Sequence, residues 1–362
     1  MRTETRFKFN GYLTRLGELY GVEPATFTTS KVEIAPSAAQ KLESKIQLSA
    51  AFLTMINIVP VKSQVGEKIG LGIGSTIAGT TDTKEKDREP TDPTDLSKQQ
   101  YHCKQTNFDT AIRYEKLDMW AIFDDFQRRI RDEIIKRQAL DRIMIGWNGT
   151  HRAATSDRTT HKLLQDVNVG WLHKIRLEAP RHVIGSSTDK DTDVTTAEPL
   201  KVGKGGDYAN LDALVMHAVD EAISEVYADD TELVVICGRQ LLSDKYFPIV
   251  NRDQANTEAL AAEVIISQKR IGGLPAVRVP YFPKDAMLIT RLDNLSIYWQ
   301  EDSRRRQVLD NPKRDRVENY ESVNEDYIVE DYDCVALIEN IELIKAKLDA
   351  PVKTDNANKT EE

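Results

Sequence analysis

The stretch from 67 to 115 constrains this chain more than any other. Ile69, Leu71, Ile73 and Ile77 fall on one face of an extended strand, with Gly70, Gly72 and Gly74 on the other. Further on, Phe108, Thr110, Ile112 and Tyr114 alternate with Asn107, Asp109, Ala111 and Arg113. Between them lies a polar tip, Gly79 to Lys98, holding Pro90, Pro93 and mixed charges. The pattern predicts a long β-hairpin arm. A two-stranded ribbon alone in water is only marginally stable, so the arm needs another surface. A neighbouring subunit is one candidate and the arm's own domain is the other; the residues leave both open. On the first reading Ile69, Leu71, Ile73 and Ile77 are inter-subunit contacts.

The rest of the chain reads as α+β. Residues 117–147 form the strongest helical pattern: Met119, Phe123, Phe126, Ile130 and Ile134 define an apolar stripe that Leu140 and Met144 continue. Uninterrupted, that helix would run ~46 Å, a structural spine. At the other end of the scale, residues 1–20 carry Phe9, Tyr12, Leu13, Leu16, Leu19 and Tyr20 at helical spacing before Gly21, Pro24 and a polar run to Ser30. This helix is either docked on the core or a detachable segment behind a loose linker. A shorter helix is expected over 166–179 and a polar linker over 185–207. Beyond it come a helix at 211–227, a buried strand at 233–237, a helix from Arg239, and strands near 276–279, 286–290, 295–299, 327–329 and 334–338. The tail from 345 to 362 is too polar to pack.

Composition narrows the function. The chain has 362 residues and a formal net charge of −9, with basic and acidic residues interspersed. A protein gripping phosphates would show a basic excess or stripe, so specific nucleic-acid binding is not expected. Three scattered cysteines (Cys103, Cys237, Cys334) make no disulfide framework or zinc pattern and read as reduced thiols. The charged start is no secretory signal, and no apolar run approaches the ~20 residues that cross a bilayer. Chemistry is equally unsupported. The loop Gly203–Asp207 lacks the spacing of a phosphate-cradling loop and reads as a flexible linker. The glycines of 70–74 miss the dinucleotide pattern, and no Gly-x-Ser-x-Gly elbow or paired histidine ligands occur. Arg304-Arg305-Arg306 is the sharpest basic cluster, read as a solvated surface run. No catalytic residue, cofactor or metal is expected.

The residues do resemble a family. Glu4-Thr5-Arg6-Phe7-Lys8-Phe9-Asn10, Phe52-Leu53-Thr54 and Ile56-Asn57-Ile58-Val59-Pro60 are similar to the major capsid proteins of peduoviruses, the P-two-like tailed phages. So are Ile134-Ile135-Lys136-Arg137-Gln138, Gly203-Lys204-Gly205-Gly206-Asp207-Tyr208, Asp244-Lys245-Tyr246-Phe247-Pro248 and Asp315-Arg316-Val317-Glu318-Asn319-Tyr320. The likeness runs from residue 1 to about 333, departing at 84–96, 185–200 and the tail. It implies the tailed-phage capsid fold of the Hong Kong 97 type, with these parts: an N-terminal scaffold-like segment (1–31) that is cleaved; an N-arm (32–66); an extended loop (67–115); a peripheral domain (116–207 and 321–344) around the spine helix; and an axial domain (208–320). The cleavage region it implies is Ser30, Lys31 and Val32. The implied partners are the chain itself in pentamers and hexamers, an internal scaffold and maturation protease, a portal at one vertex, and decoration or satellite size-determining proteins. The expected place is the virion, after assembly in the bacterial cytoplasm. The competing readings are a shell-forming nanocompartment and a nucleotide-using enzyme built on Gly203–Asp207.

Overall fold

The computed structural model describes residues 1–69, 98–123, 125–250 and 269–344, with short pieces (72–73, 78, 80–85, 87–88 and 94–95) between 70 and 97. In chain order the helices are α1 Thr3–Tyr20, α2 Thr26–Thr29, α3 Pro36–Leu48, α4 Tyr114–Trp120, α5 Phe126–Asn148, α6 Trp171–Glu178, α7 Leu211–Ala222, α8 Glu225–Ala228 and α9 Arg239–Val250.

Among the described residues two sheets carry most of the strands. The first runs Val32–Glu33, Arg305–Asn311, Arg316–Val329, Leu295–Gln300, Asn57–Val61. Its axis is the 14-residue strand Arg316–Val329, paired on both edges: Ser322 faces Arg305 on one side and Asn107 on the other. The second sheet runs Arg270–Ile271, Leu274–Arg278, Leu233–Cys237, Met287–Arg291, Val335–Ile338, Val183–Ile184, with parallel and antiparallel pairs mixed. Its strands are buried on both faces, and their side chains sort with a period of two. Val235, Cys237, Met287, Ile289, Ala336 and Ile338 join the layer containing α7, while Ile236, Leu288 and Leu337 join the layer with α5 and α6.

That second layer is also where the two sheets meet. Trp147 and Trp171 pack with ring centroids 4.9 Å apart, and Trp171 meets Tyr327 of the long strand at 5.4 Å. The indole N–H of Trp171 donates to the carbonyl of Ser296 at 3.0 Å, so its polar atom is not stranded in the core. Gly146 makes room for it: a Cβ there would sit 2.2 Å from the Trp171 ring.

Several sequence expectations need correction. The helix over 117–147 is two helices, because the chain turns at Ala121–Phe123 and restarts at Asp125, whose carboxylate accepts from Arg129 Nε at 2.7 Å. Aspartate starts helices more readily than it continues them. Met119 and Phe123, read as core, are 66% and 44% exposed. α5 alone spans about 35 Å. The helix expected from 166 begins only at Trp171.

The linker at 185–207 is structured as well. Ser186–Asp189 pairs with Val194–Ala197, and Leu200–Val202 runs parallel to Ile341–Leu343. Threonines on both faces of that hairpin hid it from an apolar-period reading; Thr188 and Thr195 hydroxyls meet across it at 3.0 Å. Strands 295–300 and 305–311, grouped by sequence with 208–291, hydrogen-bond instead into the first sheet, and residue 320 lies inside its central strand. The tail at 345–362 lies outside the described residues.

Candidate assembly elements and the charge cluster beneath them

The N-terminal segment is docked. Phe9, Tyr12, Leu13, Leu16 and Tyr20 are buried against Leu117, Ile130, Ile134, Val308 and Val317. Gly21 closes α1 in the left-handed region (φ 68°), where its missing Cβ removes the steric penalty. The stretch after it is not a loose linker, because α2 places Phe27 at 0% exposure. Beyond it Ser30 and Lys31 are exposed, whereas Val32 opens a strand opposite Arg306. Ile34 is again fully buried, its N–H donating to the Arg304 carbonyl at 3.0 Å. The three candidate processing residues therefore lie in a short accessible span between two buried anchors.

The ribbon exists, with a different second limb. Val65–Ile69 pairs antiparallel with Lys98–His102, and Gly72–Ile73 with Thr94–Asp95. Lys104–Asn107 and Thr110–Arg113, expected as the return limb, pair with the long strand, and Phe108 is buried in the subunit's own core. A strand that alternates in polarity does not name its partner; the long strand's open edge captured this one. The root of the ribbon is fastened to the body: Lys68 Nζ lies 3.2 Å from Glu330, and the His102 N–H donates to Asp326 at 2.9 Å. Of the candidate contacts, Ile69 pairs with Lys98 and Ile73 with Thr94, while Leu71 and Ile77 lie outside the described residues.

Under these elements sits a buried charge cluster that the sequence reading missed. Arg304 and Arg306, taken as part of a solvated run, are 0% and 4% exposed; only Arg305, between them, faces out. Alternation along the strand explains the split. Arg142 of α5 donates to Glu43 of α3 at 2.6 and 3.0 Å and to Glu325 of the long strand at 2.9 Å. Arg304 bonds both Glu43 and Glu321. Arg306 donates to Asn319 at 2.6 Å and to the hydroxyls of Tyr20 at 3.2 Å and Tyr12 at 3.0 Å. Burial by itself would raise the Glu43 carboxyl, but the guanidiniums of Arg142 and Arg304 outweigh it and hold the pKa at about 2. Glu325 goes the other way: burial, helped by the charge of Glu43, raises it against the pull of Arg142.

No comparable constellation points to catalysis. Among the described residues no group of three or more His, Cys, Asp or Glu is placed to hold a metal, and no helix is long and apolar enough to cross a membrane. In the Gly203–Asp207 loop the N–H groups of Gly203 and Gly206 donate to Tyr208 and Gly203 carbonyls, and the Asp207 carboxylate accepts from Lys201. Amides turned inward in this way do not form a phosphate cradle. The three cysteines are free and buried, and burial pushes Cys103 up to about 12 and Cys237 and Cys334 to about 11.

A family model described as phage major capsid protein, P2 family, matches residues 8–341. The chain belongs to this family. It is 58% identical over 344 residues to the capsid proteins of Escherichia phage P2, covering 95% of this chain and 96% of that protein. It is 38% identical over 344 residues to the major capsid protein of Serratia phage KSP20, covering 94% of this chain and 97% of that one. Among solved structures it matches a chain of the satellite phage P4 procapsid including size determination (Sid) protein, with TM-score 0.76 and 56% identity over 95% of this chain and 99% of that chain. Its α+β architecture is thus the Hong Kong 97-type capsid fold, and as a P2-family major capsid protein it forms the shell of a virion.

Proposed function

We propose that this P2-family capsid protein is made as a precursor and assembles with itself in pentamers and hexamers into the icosahedral head. That head encloses a double-stranded DNA genome, and the precursor loses its first 31 residues at or beside Ser30, Lys31 or Val32. An internal scaffold and a maturation protease act on it from inside, and a portal occupies one vertex. The function is structural, without catalysis or a bound cofactor. The observation that carries this reading is the 58% identity over nearly the full length to the phage P2 capsid proteins. The exposed span between the buried anchors Phe27 and Ile34 supports the processing step, since proteases cut accessible, locally extended chain. Ile69, Leu71, Ile73 and Ile77 are the proposed face of the ribbon toward a neighbouring subunit. By analogy with the solved P4 procapsid, whose description includes a size determination protein, the shell's outside is a candidate docking surface for such satellite or decoration proteins.

Two measurements on one preparation test this. Co-expression with the phage's scaffold and protease should yield closed shells of uniform diameter by negative-stain imaging, and amorphous aggregate alone would overturn the assembly reading. Mass spectrometry of subunits from mature particles should give a new N-terminus close to Val32. Intact Met1 or Arg2 in infectious virions would overturn the processing step and leave the capsid assignment standing.

A further inference from the structure

We propose that segment 1–31 is an intramolecular mask: the groove it fills in the isolated subunit, between α4, α5 and the strands 305–311 and 316–329, is an assembly face that a second copy of this chain covers once the segment leaves. The proposal rests on the precursor reading for release of the segment, but the masking itself does not need cleavage.

Three features support it. The first is how the segment is held. Its attachment is chiefly apolar, through Phe9, Tyr12, Leu13, Leu16, Tyr20 and Phe27. The polar ties are few: the Arg2 N–H to Asp118 at 2.9 Å, Lys8 Nζ to the Ala121 carbonyl at 2.6 Å, Arg6 to Asp310 at 3.1 Å, and the two tyrosine hydroxyls on Arg306. α1 contains Gly11 and Gly17 and has no side-chain N-cap, so it has little intrinsic helical stability and depends on the groove for its structure. A segment of this kind detaches as a unit.

The second feature is the fit. A void of ≈ 20 Å³ remains between Phe9 and Tyr12 on the segment and Leu117, Ile130 and Val308 on the groove floor. Side chains lining such a gap forgo part of their dispersion contacts, which weakens the joint.

The third feature points to the occupant. The bonds from Arg2 and Lys8 lay α1 alongside α4, and on this same flank Phe7, Met119, Ile122 and Phe123 are exposed, at 80%, 66%, 75% and 44%. Clustered exposed apolar side chains mark interaction surfaces, and here they border the masked groove. With the mask gone, rim and floor form one apolar face. A shell subunit meets copies of itself, so a second copy is the partner available at the concentration and place where the face is uncovered.

The test uses the full-length chain. In Tyr12→Phe plus Tyr20→Phe, Arg306 keeps Asn319 but loses both hydroxyls of the mask. Local opening of α1, read by hydrogen exchange of amides 3–20, should rise about tenfold or more. If association requires the opened form, the subunit concentration needed for assembly should fall by a similar factor. Leu16→Ala, which leaves Arg306 untouched, should act in the same direction, and a synthetic peptide of residues 1–31 added in excess should reverse the gain in either variant. Faster opening with an unchanged assembly threshold would overturn the proposal, as would variants that assemble readily but ignore the peptide. Retention of Met1 in virions would sink the precursor step alone, so the two failures are distinguishable.

Discussion

Replacing Glu43 with Gln should destabilise the unassembled subunit by about 3–5 kcal/mol at neutral pH, the usual cost of removing one partner from a buried ion pair. Glu43 is 4% exposed and accepts from Arg142 at 2.6 and 3.0 Å and from Arg304. The amide keeps the shape but not the charge, leaving Arg142 with Glu325 and Arg304 with Glu321. An independent route to the magnitude is proton linkage. Holding the carboxyl at about 2 instead of its ordinary 4.5 is worth roughly 3.4 kcal/mol. The sign follows from the depressed value: this stability is present above pH ~4.5 and is lost as pH falls from there toward 2. Glu325, whose folded pKa is raised, contributes oppositely, destabilising at neutral pH and relieved as acid protonates it. Urea unfolding of wild type and Glu43→Gln between pH 7 and pH 3 should therefore show a gap of at least 3 kcal/mol that narrows only below pH ~4.5. A gap under ~0.5 kcal/mol at pH 7, or one that does not change with acid, would refute the reasoning.

Three further outcomes are expected. Gly146→Ala should lower the unfolding temperature of the subunit, since a Cβ 2.2 Å from the Trp171 ring overpacks the central layer at a cost of about 1–3 kcal/mol or more; an unchanged Tm refutes it. Excising residues 79–93 from the ribbon tip should leave subunit Tm nearly unaltered while closed shells fail to form; normal shells would show that the arm is not an assembly element. Lys84 is exposed on that tip, whereas a lysine that joins covalently to a neighbour needs a desolvated setting beside a base. Mature shells boiled in detergent should run as single chains, and a ladder of higher species would overturn this.

What the sequence reveals here depends on whether burial is apolar. Leu233–Cys237, Met287–Arg291 and Val335–Ile338 are near-continuous apolar runs, and each lies close to its expected place. The strand Arg316–Val329 does not look buried at all: Glu318, Asn319, Glu321, Ser322, Glu325 and Asp326 are each at most 6% exposed, yet the segment reads as polar. Its burial is possible because Arg142, Arg304 and Arg306 come from elsewhere, and no local period encodes a partner 183 residues away. The one available signal was the spacing of Arg304 and Arg306, two apart on a strand, against Glu321 and Glu325 on the next. The processing span shows the converse. Ser30 and Lys31 were placed by resemblance, and local polarity agreed, but the anchor Phe27 inside the same polar run was a single aromatic that periodicity could not weigh.

The cluster also explains why a cut beside Val32 divides the chain at a sensible place. Everything before it is held by apolar contact and a few hydrogen bonds, which leave no charge stranded when they break: Arg306 keeps Asn319 and gains water as its surroundings open. Everything after it is held by ions. α3 cannot leave while Glu43 compensates Arg142 and Arg304, because departure would strand two buried guanidiniums in a low-dielectric core. Arg142 and Arg304 in turn satisfy Glu325 and Glu321 on the long strand, to which the ribbon root is tied through Asp326 and Glu330 through the strand's continuation. Docking of α3, burial of the long strand and seating of the ribbon are therefore coupled, while α1 and α2 are not part of that coupling. A precursor built this way can shed its first 31 residues without loosening the joint from which its assembly arm extends.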